Sequence, residues 1–418
     1  MVKPKSELLQ TFIERGYLHQ CTDMPGLDKL ARTEAIVGYI GFDCTADSLH
    51  VGSLIPIMLL RHLQRAGHKP IVLLGGGTTK IGDPSGRDQT RKLLGEEEIT
   101  KNMRSLRKVF ERFLTFGDGP TDALIVNNAE WLEELNYVEF LREYGRHFSI
   151  NRMLGFDSVK LRLEREQPLS FLEFNYMIFQ AYDFLELSRR HGCLLQLGGS
   201  DQWGNIVNGV ELTRRVDAKS LYGVTSPLLE TASGQKMGKT AAGAVWLNEE
   251  RLSSYDYWQY WRNVEDADVG RFLRLFTDMP LNEVARFSAL RGAEINDAKK
   301  ILADRATELC HGRQASERAA STAYATFDLG DIGADLPTFD IEAATLLKGL
   351  TLFEAYKDVT GLANSKGEVR RLVGQGGARI NDAPISSLDY LITDSDVNSQ
   401  GFIKLSSGKK RHSLLRPV

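Results

Sequence analysis

The sequence has few cysteines, no long apolar run and no large excess of charge of either sign. None of its four cysteines forms a CxxC pair, which argues against a zinc site and against a secreted disulfide framework. No stretch approaches the ~20 apolar residues of a membrane span, and the first residues lead into an amphipathic pattern rather than an apolar signal segment. The formal net charge of −3 is not the global basic signature of a nucleic-acid-binding protein. We therefore expect a cytoplasmic protein with reduced thiols and no dedicated metal site.

The length of the chain and its uneven charge indicate several domains. With 418 residues, the chain exceeds one typical core, so two or three domains are expected. From residue 343 onward there are eleven basic and seven acidic side chains, a net charge of +4, which leaves −7 for the rest. A basic C-terminal module on an acidic body suggests local anion binding.

Short apolar segments alternate with helical patterns in the first half of the chain. Helices are predicted over Ser6–Arg15 and Leu54–Ala66, and Pro56 is tolerated in the second because it falls in the first turn. This alternation predicts a Rossmann-like α/β domain with a parallel sheet and a site at the carboxyl ends of its strands. The predicted strands are Ile36–Phe42, Pro70–Leu74, Ala123–Asn127 and Leu194–Leu197.

The remaining segments complete the predicted domain organisation. A helical insertion is expected at about 128–190 within a catalytic domain of residues 1–230. A helical domain is expected over 231–327. Residues 328–342 hold five acidic residues, two glycines and a proline without any Lys or Arg, which is typical of a linker. The last module, 343–418, is expected to be a small α+β domain.

The motif His50-Val51-Gly52-Ser53 follows the first predicted strand and its polar turn. Its small residues suit the start of a helix, where free backbone N–H groups can meet a phosphate. A side chain at Gly52 would block such an approach. The alternative is an ordinary histidine at a helix cap.

A second motif, Lys236-Met237-Gly238-Lys239-Thr240, lies in a Gly-rich stretch far downstream. It is not a P-loop, because Ser233 stands where that pattern requires a glycine. Two lysines on a loop suit closure over a polyphosphate and balancing of its charge. The alternative is a solvated basic turn.

Tyr176, Gln180 and Asp183 are spaced at i, i+4 and i+7 and would share one face of a helix. A phenol, an amide and a carboxylate would be costly to bury without polar partners. They suit a small zwitterion with a polar tail, whereas a partly exposed amphipathic helix is the alternative.

Two glycine-containing turns are further candidates. Gly198–Asn205 follows the fourth predicted strand, and its Asp201 has the chemistry to accept hydrogen bonds from ribose hydroxyls. Gly82–Gly86 is weaker evidence by itself, since Asp-Pro and Ser-Gly are common turn dipeptides.

Taken together, the chain resembles the bacterial tyrosyl-tRNA synthetases over nearly its whole length. These are class I aminoacyl-tRNA synthetases that use ATP, and their fold is a Rossmann-like catalytic domain followed by a helical domain and a small S4-like RNA-binding domain. The stretches that carry the resemblance are Tyr39–Ser53, Gly82–Gly86, Phe174–Asp183, Gly198–Asn205, Lys236–Thr240 and Gly367–Asp382.

The resemblance implies a tyrosine-binding set. Tyr39 and Asp183 would hydrogen-bond the substrate phenol. The ammonium group would be held by Asp83, Tyr176 and Gln180, with Gln202 near the carboxylate.

It also implies a set of residues for ATP. The departing pyrophosphate would be stabilised by Thr45, His50, Lys236 and Lys239, and Mg²⁺ would accompany ATP. The nucleotide-binding residues implied are Gly41, Asp43, Gly52, Ser53, Gly199, Asp201 and Lys239.

Two positions depart from the family pattern. Ser53 stands where the first motif often has a second histidine, and Ile40 stands where some relatives have a polar side chain near the ribose. A serine hydroxyl still donates a hydrogen bond, so we expect retained activity with altered nucleotide contacts.

The partners implied are L-tyrosine, tRNA(Tyr) and a second copy of the chain. The helical insertion around Phe148–Phe171 is where the family pairs its subunits. The RNA-binding residues expected in the last module are Lys366, Arg370, Arg371, Arg379, Lys409, Lys410 and Arg411.

Other functions fit the sequence less well. The substrate of a tryptophanyl-tRNA synthetase has an indole, which offers no phenol for Tyr39 and Asp183 to bind. A small nucleotidyltransferase with the first motif would lack the Lys236–Thr240 loop. An inactive RNA-binding relative would have no reason to retain His50 with both lysines.

Overall fold

The structure is a computed structural model. It describes residues 3–85, 94–234, 237–240, 243–326, 333, 335–408 and 411–418, with the backbone alone for Asp157, Lys239 and Thr240. The chain divides into two compact units, residues 1–237 with 265–298 and residues 238–264 with 299–418. In the part of the chain that is described, no helix is both long and apolar enough to cross a bilayer.

Helices and short strands alternate along much of the described chain. In chain order, the α-helices are α1 Glu7–Arg15, α2 Met24–Thr33, α3 Leu54–Arg65, α4 Glu96–Phe113, α5 Ala129–Leu132, α6 Tyr137–Glu143, α7 Ile150–Leu154, α8 Asp157–Glu164, α9 Phe171–His191, α10 Trp203–Asp217, α11 Ser254–Arg262, α12 Asp266–Phe276, α13 Leu281–Ser288, α14 Ile295–His311, α15 Arg313–Tyr324, α16 Ala343–Lys348 and α17 Lys366–Gly374. The strands are β1 Gln20–Cys21, β2 Val37–Phe42, β3 Lys69–Leu74, β4 Leu124–Asn127, β5 Leu195–Gly199, β6 Tyr222–Ser226, β7 Lys239–Thr240, β8 Gly243–Ala244, β9 Thr338–Ile341, β10 Leu350–Thr351, β11 Ala378–Ile380, β12 Ala383–Pro384, β13 Leu391–Ile392, β14 Ile403–Ser407 and β15 Arg411–Pro417.

The first unit is built on a six-stranded sheet with the order β1-β6-β5-β2-β3-β4. Only the β1–β6 pair is antiparallel, and the other four pairs are parallel. The α/β class is therefore confirmed. The four predicted strands are present within two residues of their predicted bounds. Strands β1 and β6 were not predicted, because β1 has only two residues and β6 mixes glycine, threonine and serine with its single valine.

The strand order reverses between β2 and β5, which lie side by side in the middle of the sheet. In a parallel sheet, such a switch point opens a crevice beyond the carboxyl ends of the strands. One hydrophobic core contains Tyr39 of β2 together with apolar side chains of the helical segment, which is the part of the chain between β4 and β5. Trp131 and Phe184 are among these side chains. The sheet thus shares one hydrophobic core with the helices that lie between β4 and β5 in the sequence.

Helix α9 is well defined at both ends. Ser170 accepts from the backbone N–H of Glu173, and the Glu173 side chain accepts from the N–H of Ser170, which is a capping box. Glu173 is also paired with Arg162 at 3.0 Å, with both side chains buried. Gly192 ends the helix in the left-handed conformation (φ 63°). These contacts fix the register of the helix that carries Tyr176, Gln180 and Asp183.

The second unit contains a five-stranded sheet with the order β12-β11-β14-β15-β9. Its core includes Tyr356, whose hydroxyl donates to carbonyls of Arg379 and Ser406. Strand β9 pairs in parallel with β15, so this sheet begins inside the segment that was predicted to be a linker.

Candidate active site

The site lies where three parallel strands end together. Phe42 of β2 is paired with Leu74 of β3, and Leu74 with Asn127 of β4. The residues that follow these strand ends, Asp43 and Asn128 among them, therefore meet at one edge of the sheet.

Asp183 of α9 is buried next to these strand ends. It is 2% exposed, and its two oxygens accept from Asn128 Nδ2 at 3.0 Å and Trp131 Nε1 at 2.7 Å. Burial raises the pKa of Asp183 to about 7, against the effect of these two hydrogen bonds. The two hydrogen bonds thus hold the carboxylate in place, although its burial destabilises the ionised form.

Tyr39 presents a buried hydroxyl beside this carboxylate. The ring is 1% exposed, and its hydroxyl makes no hydrogen bond to any residue that the structure describes. Burial, and then the charge of Asp183, raise the pKa of Tyr39 well above its ordinary value. A buried hydroxyl without a partner usually indicates a ligand or an ordered water.

Gln196 lies next to Tyr39 across the β2–β5 pair. It is buried, and its side-chain oxygen has no hydrogen-bond partner within the described ranges. Gln196 was not among the predicted site residues, although a glutamine inside an otherwise apolar predicted strand is a signal of a buried polar site.

A second polar cluster joins three of the predicted residues. Gln202 Nε2 donates to Asp83 Oδ2 at 2.9 Å, and Gln180 Nε2 donates to Gln202 Oε1 at 3.2 Å. Asn205, which was not predicted, donates to Gln180 Oε1 at 2.8 Å. The cluster offers one carboxylate and several amide groups.

Tyr176 contacts Asp43. Its hydroxyl donates to Asp43 Oδ1 at 3.3 Å, and Thr78 Oγ1 donates to the same oxygen at 3.0 Å. Asn128 Nδ2 in turn donates to Thr78 Oγ1 at 3.0 Å. Asp43 and Asp183 are thus connected through Thr78 and Asn128.

The first motif forms a short turn before α3. His50 Nδ1 accepts from the N–H of Gly52 at 3.0 Å. A Cβ on Gly52 would lie 2.6 Å from His50 Cε1 and 3.0 Å from the Met237 carbonyl oxygen, so a larger residue there would displace the His50 ring. Ser53 is the N-cap of α3 without a side-chain hydrogen bond to the helix, and Thr45 is exposed.

Gly41 and Gly199, near the carboxyl ends of β2 and β5, differ in the space around them. A Cβ on Gly199 would lie 2.5 Å from Asp201 Oδ1, whereas a Cβ on Gly41 would meet, among the described residues, only Leu73, at 4.0 Å. Gly41 is also exposed. The space above Gly41 is therefore open for a ligand that approaches the backbone.

The predicted basic residues of the second unit differ in their contacts. Lys366 and Arg370 lie over the Phe353 ring, and Arg371 is exposed. Arg411 donates to the carbonyl oxygens of Leu362 and Gly361, so it supports its own domain. Arg379 lies on β11 with intermediate exposure.

Four of the predicted lysines have no described side chain. Lys236, Lys409 and Lys410 lie outside the described residues, and Lys239 is described by its backbone in β7 alone. Among the residues that are described, no three His, Cys, Asp or Glu side chains are grouped so as to hold a metal ion.

Comparison with known proteins supports one family. Residues 31–328 match the model of the tRNA synthetases class I (W and Y). The tyrosine–tRNA ligase of Rhodospirillum rubrum is 65% identical over 100% of this chain and 99% of its own length. That of Caulobacter vibrioides is 62% identical over 99% and 98%.

Solved structures agree with this result. A C-terminally truncated mitochondrial tyrosyl-tRNA synthetase of Coccidioides posadasii is 32% identical, with a TM-score of 0.65 over 76% of this chain and 91% of its own. A tryptophanyl-tRNA synthetase of Encephalitozoon cuniculi has a TM-score of 0.53 at 14% identity over 74% and 87%, which shows the fold alone. The chain therefore belongs to the class I tRNA synthetases of the tryptophan and tyrosine group, and within it to the bacterial tyrosyl-tRNA synthetases.

Proposed function

We propose that the chain is a tyrosine–tRNA ligase. It activates L-tyrosine with ATP to give tyrosyl-adenylate and pyrophosphate, and then transfers the tyrosyl group to the 3′-terminal ribose of tRNA(Tyr). The observation that carries this proposal is the buried pair of Tyr39 and Asp183. One is a hydroxyl with no hydrogen-bond partner among the described residues, and the other is a desolvated carboxylate.

The substrate phenol completes this pair. Its hydroxyl donates to Asp183 and accepts from the Tyr39 hydroxyl, so that both buried groups gain a partner. Phenylalanine would leave the buried Tyr39 hydroxyl without a partner and would bring Asp183 no further donor, an effect for which tyrosyl-tRNA synthetases are the usual example. An indole would place no oxygen between the two groups.

The other polar groups receive the amino-acid end of the substrate. Asp83 and Gln180 lie in one hydrogen-bonded cluster with Gln202 and hold the ammonium and carboxylate groups. Tyr176 joins them from the same face of α9 and contacts Asp43, which lies between the amino-acid and nucleotide parts of the site.

Adenylate formation needs positioning more than acid–base catalysis. The tyrosine carboxylate attacks the α-phosphorus of ATP, and pyrophosphate departs with the electrons of the broken P–O bond. Since the nucleophile is already ionised, the protein contributes orientation and charge stabilisation. Mg²⁺ enters with ATP as part of the substrate.

His50 and Thr45 act on the departing pyrophosphate. Because His50 Nδ1 accepts a hydrogen bond from the Gly52 N–H, the neutral ring carries its proton on Nε2. That proton is suited to a phosphate oxygen. The roles of Lys236 and Lys239 rest on the resemblance and on their charge.

The remaining nucleotide contacts are proposed to come from residues at the same edge of the sheet. Asp201 above Gly199 accepts from the ribose hydroxyls, and the ligand approaches the backbone at Gly41 and Gly52. Asp43 and Ser53 complete the set. The departures at Ser53 and Ile40 alter these contacts without removing the reaction.

The last module, 343–418, is proposed to be the S4-like RNA-binding domain. Support comes from the net charge of +4 from residue 343 onward and from the exposed Lys366, Arg370 and Arg371 on α17. Arg379 remains a candidate, as do Lys409 and Lys410. Arg411 is assigned a structural part instead.

A homodimer is proposed through the helical segment. Of the fifteen exposed large hydrophobic side chains among the described residues, nine lie between Tyr137 and Leu172, and Phe171 is 70% exposed. An apolar surface of this density usually marks an interface. It overlaps the region around Phe148–Phe171 that the resemblance implies. A cytoplasmic location remains a prediction from the sequence.

Aminoacylation of total bacterial tRNA with labelled tyrosine tests this proposal. We expect tyrosine- and ATP-dependent label on the RNA, released by mild alkali as an ester. RNA binding without charging would contradict it and favour an inactive RNA-binding relative.

A further inference from the structure

Two buried side chains hold both backbone groups of Cys44. The Cys44 N–H donates to Thr79 Oγ1 at 2.8 Å, and the Cys44 carbonyl accepts from Asn102 Nδ2 at 2.9 Å. All three residues are at most 4% exposed.

These two side chains provide the backbone hydrogen bonds that strand pairing no longer provides beyond the end of β2. The last ladder bond at the end of β2 runs from the Gly75 N–H to the Phe42 carbonyl. Beyond it, the buried backbone groups of Cys44 need other partners. Thr79 provides one from the turn after β3, and Asn102 provides the other from α4.

The contacts bear directly on Thr45. The Cys44 carbonyl belongs to the peptide plane that leads into Thr45, so fixing it fixes the direction in which the exposed Thr45 leaves the sheet. The Cys44 thiol is buried and its pKa is raised to about 12, which leaves it unreactive. The residue therefore matters through its backbone.

The neighbouring Thr78 has a different partner. Its hydroxyl donates to the Asp43 carboxylate and accepts from Asn128, which also holds Asp183. Two adjacent threonines thus hold two adjacent residues. Thr78 holds Asp43 and is linked through Asn128 to Asp183 of the tyrosine-binding set, whereas Thr79 holds Cys44, directly before Thr45.

We propose that Thr79 and Asn102 are positioning residues for adenylate formation, which hold the Cys44–Thr45 peptide so that Thr45 meets the ATP phosphates. This inference rests on the proposed function. It predicts that two buried threonines of equal size differ in their effect on tyrosine binding, since only Thr78 is linked through Asn128 to Asp183.

The substitutions Thr79→Val and Thr78→Val form a matched pair, since each removes one buried hydroxyl. Tyrosine binding without ATP is measured by calorimetry, and ATP parameters by tyrosine-dependent ATP–pyrophosphate exchange. For Thr79→Val we expect kcat/KM for ATP to fall about tenfold or more while Kd for tyrosine stays within about twofold. For Thr78→Val we expect the tyrosine Kd to rise about tenfold.

Two further variants serve as controls for Thr79→Val. Thr79→Ser retains the hydroxyl and should restore the ATP parameters, and Asn102→Leu should reproduce the Thr79→Val signature from the other side of the peptide. The second variant also decides the matter if Thr79→Val does not fold.

Unchanged ATP parameters in Thr79→Val or Asn102→Leu would overturn the inference. So would a tyrosine Kd that rises as much in Thr79→Val as in Thr78→Val. Absence of tyrosine-dependent exchange in the unsubstituted protein would instead contradict the proposed function itself.

Discussion

Asn128 Nδ2 lies 3.0 Å from Asp183 Oδ2, and both side chains are buried. Together with the Trp131 indole, this contact aims the carboxylate at the space beside Tyr39. If Asp183 binds the substrate phenol as proposed, the selection of tyrosine also depends on Asn128, a residue that need not touch the substrate.

The raised pKa of Asp183 predicts a pH-dependent stability. Below about pH 4 the group is protonated in both the folded and unfolded states, so its burial has no ionisation penalty. As the pH rises toward about 7, only the unfolded state loses the proton readily, so the free energy of unfolding falls. Above about pH 7 the penalty is complete.

Asp183→Asn should remove that penalty while losing one hydrogen bond. The shift of the pKa from 3.8 to about 7 corresponds to at most about 4 kcal/mol, since each pKa unit is about 1.4 kcal/mol. We expect a net gain of about 1–3 kcal/mol at pH 8 and less at pH 5, measured by urea unfolding. Equal destabilisation at both pH values would contradict the account of this carboxylate.

Gly41→Ala should weaken nucleotide binding without lowering the stability of the protein. Among the described residues, a Cβ there meets only Leu73, at 4.0 Å, so the substitution should leave Tm equal or slightly raised. The methyl group would occupy the space proposed for ATP, and KM for ATP should rise about tenfold or more. Gly374→Ala, which also has open space around its Cβ, is the control and should leave KM for ATP unchanged.

Phe171→Glu should convert a dimer into monomers. Phe171 is 70% exposed within the apolar surface of the helical segment, and a carboxylate there would oppose self-association by its desolvation. Sedimentation at micromolar concentration would show a monomer-sized species. Leu347→Glu, at a residue 73% exposed in the second unit, should leave the dimer intact, and a monomeric unsubstituted protein would refute the interface.

The RNA-binding assignment predicts a division between the two reaction steps. Replacing Lys366, Arg370 and Arg371 together by Gln should raise KM for tRNA and reduce its salt dependence, while tyrosine-dependent ATP–pyrophosphate exchange stays unchanged. Arg411→Gln should instead lower Tm, because its donors hold two backbone carbonyls. Equal losses in exchange and charging for the triple variant would argue against a separate RNA-binding module.

Much of the fold was predictable because its signals are local. The strands β2 to β5 are apolar segments between turn residues, and α9 has a capping box in its sequence. Strand β9 was hidden in an acidic segment, because its pairing with β15 is a long-range contact that composition does not reveal.

The site was only partly predictable for a related reason. Asp83, Gln180 and Gln202 were predicted through motifs, and the structure brings them into one cluster. The supporting residues Thr78, Asn128 and Trp131 belong to no motif. Asn128 had one usable signal, its place directly after a predicted strand, whereas nothing local distinguished Trp131 from a core residue.

The measurement that tests the central claim most directly is ATP–pyrophosphate exchange with tyrosine, phenylalanine and tryptophan in parallel. Exchange with tyrosine alone is the predicted result, since only tyrosine satisfies both the Tyr39 hydroxyl and the Asp183 carboxylate. Exchange with tryptophan would contradict the proposed function, and so would folded protein that shows no exchange with any of the three amino acids. Comparable exchange with phenylalanine would contradict the proposal that Tyr39 and Asp183 recognise the phenol hydroxyl.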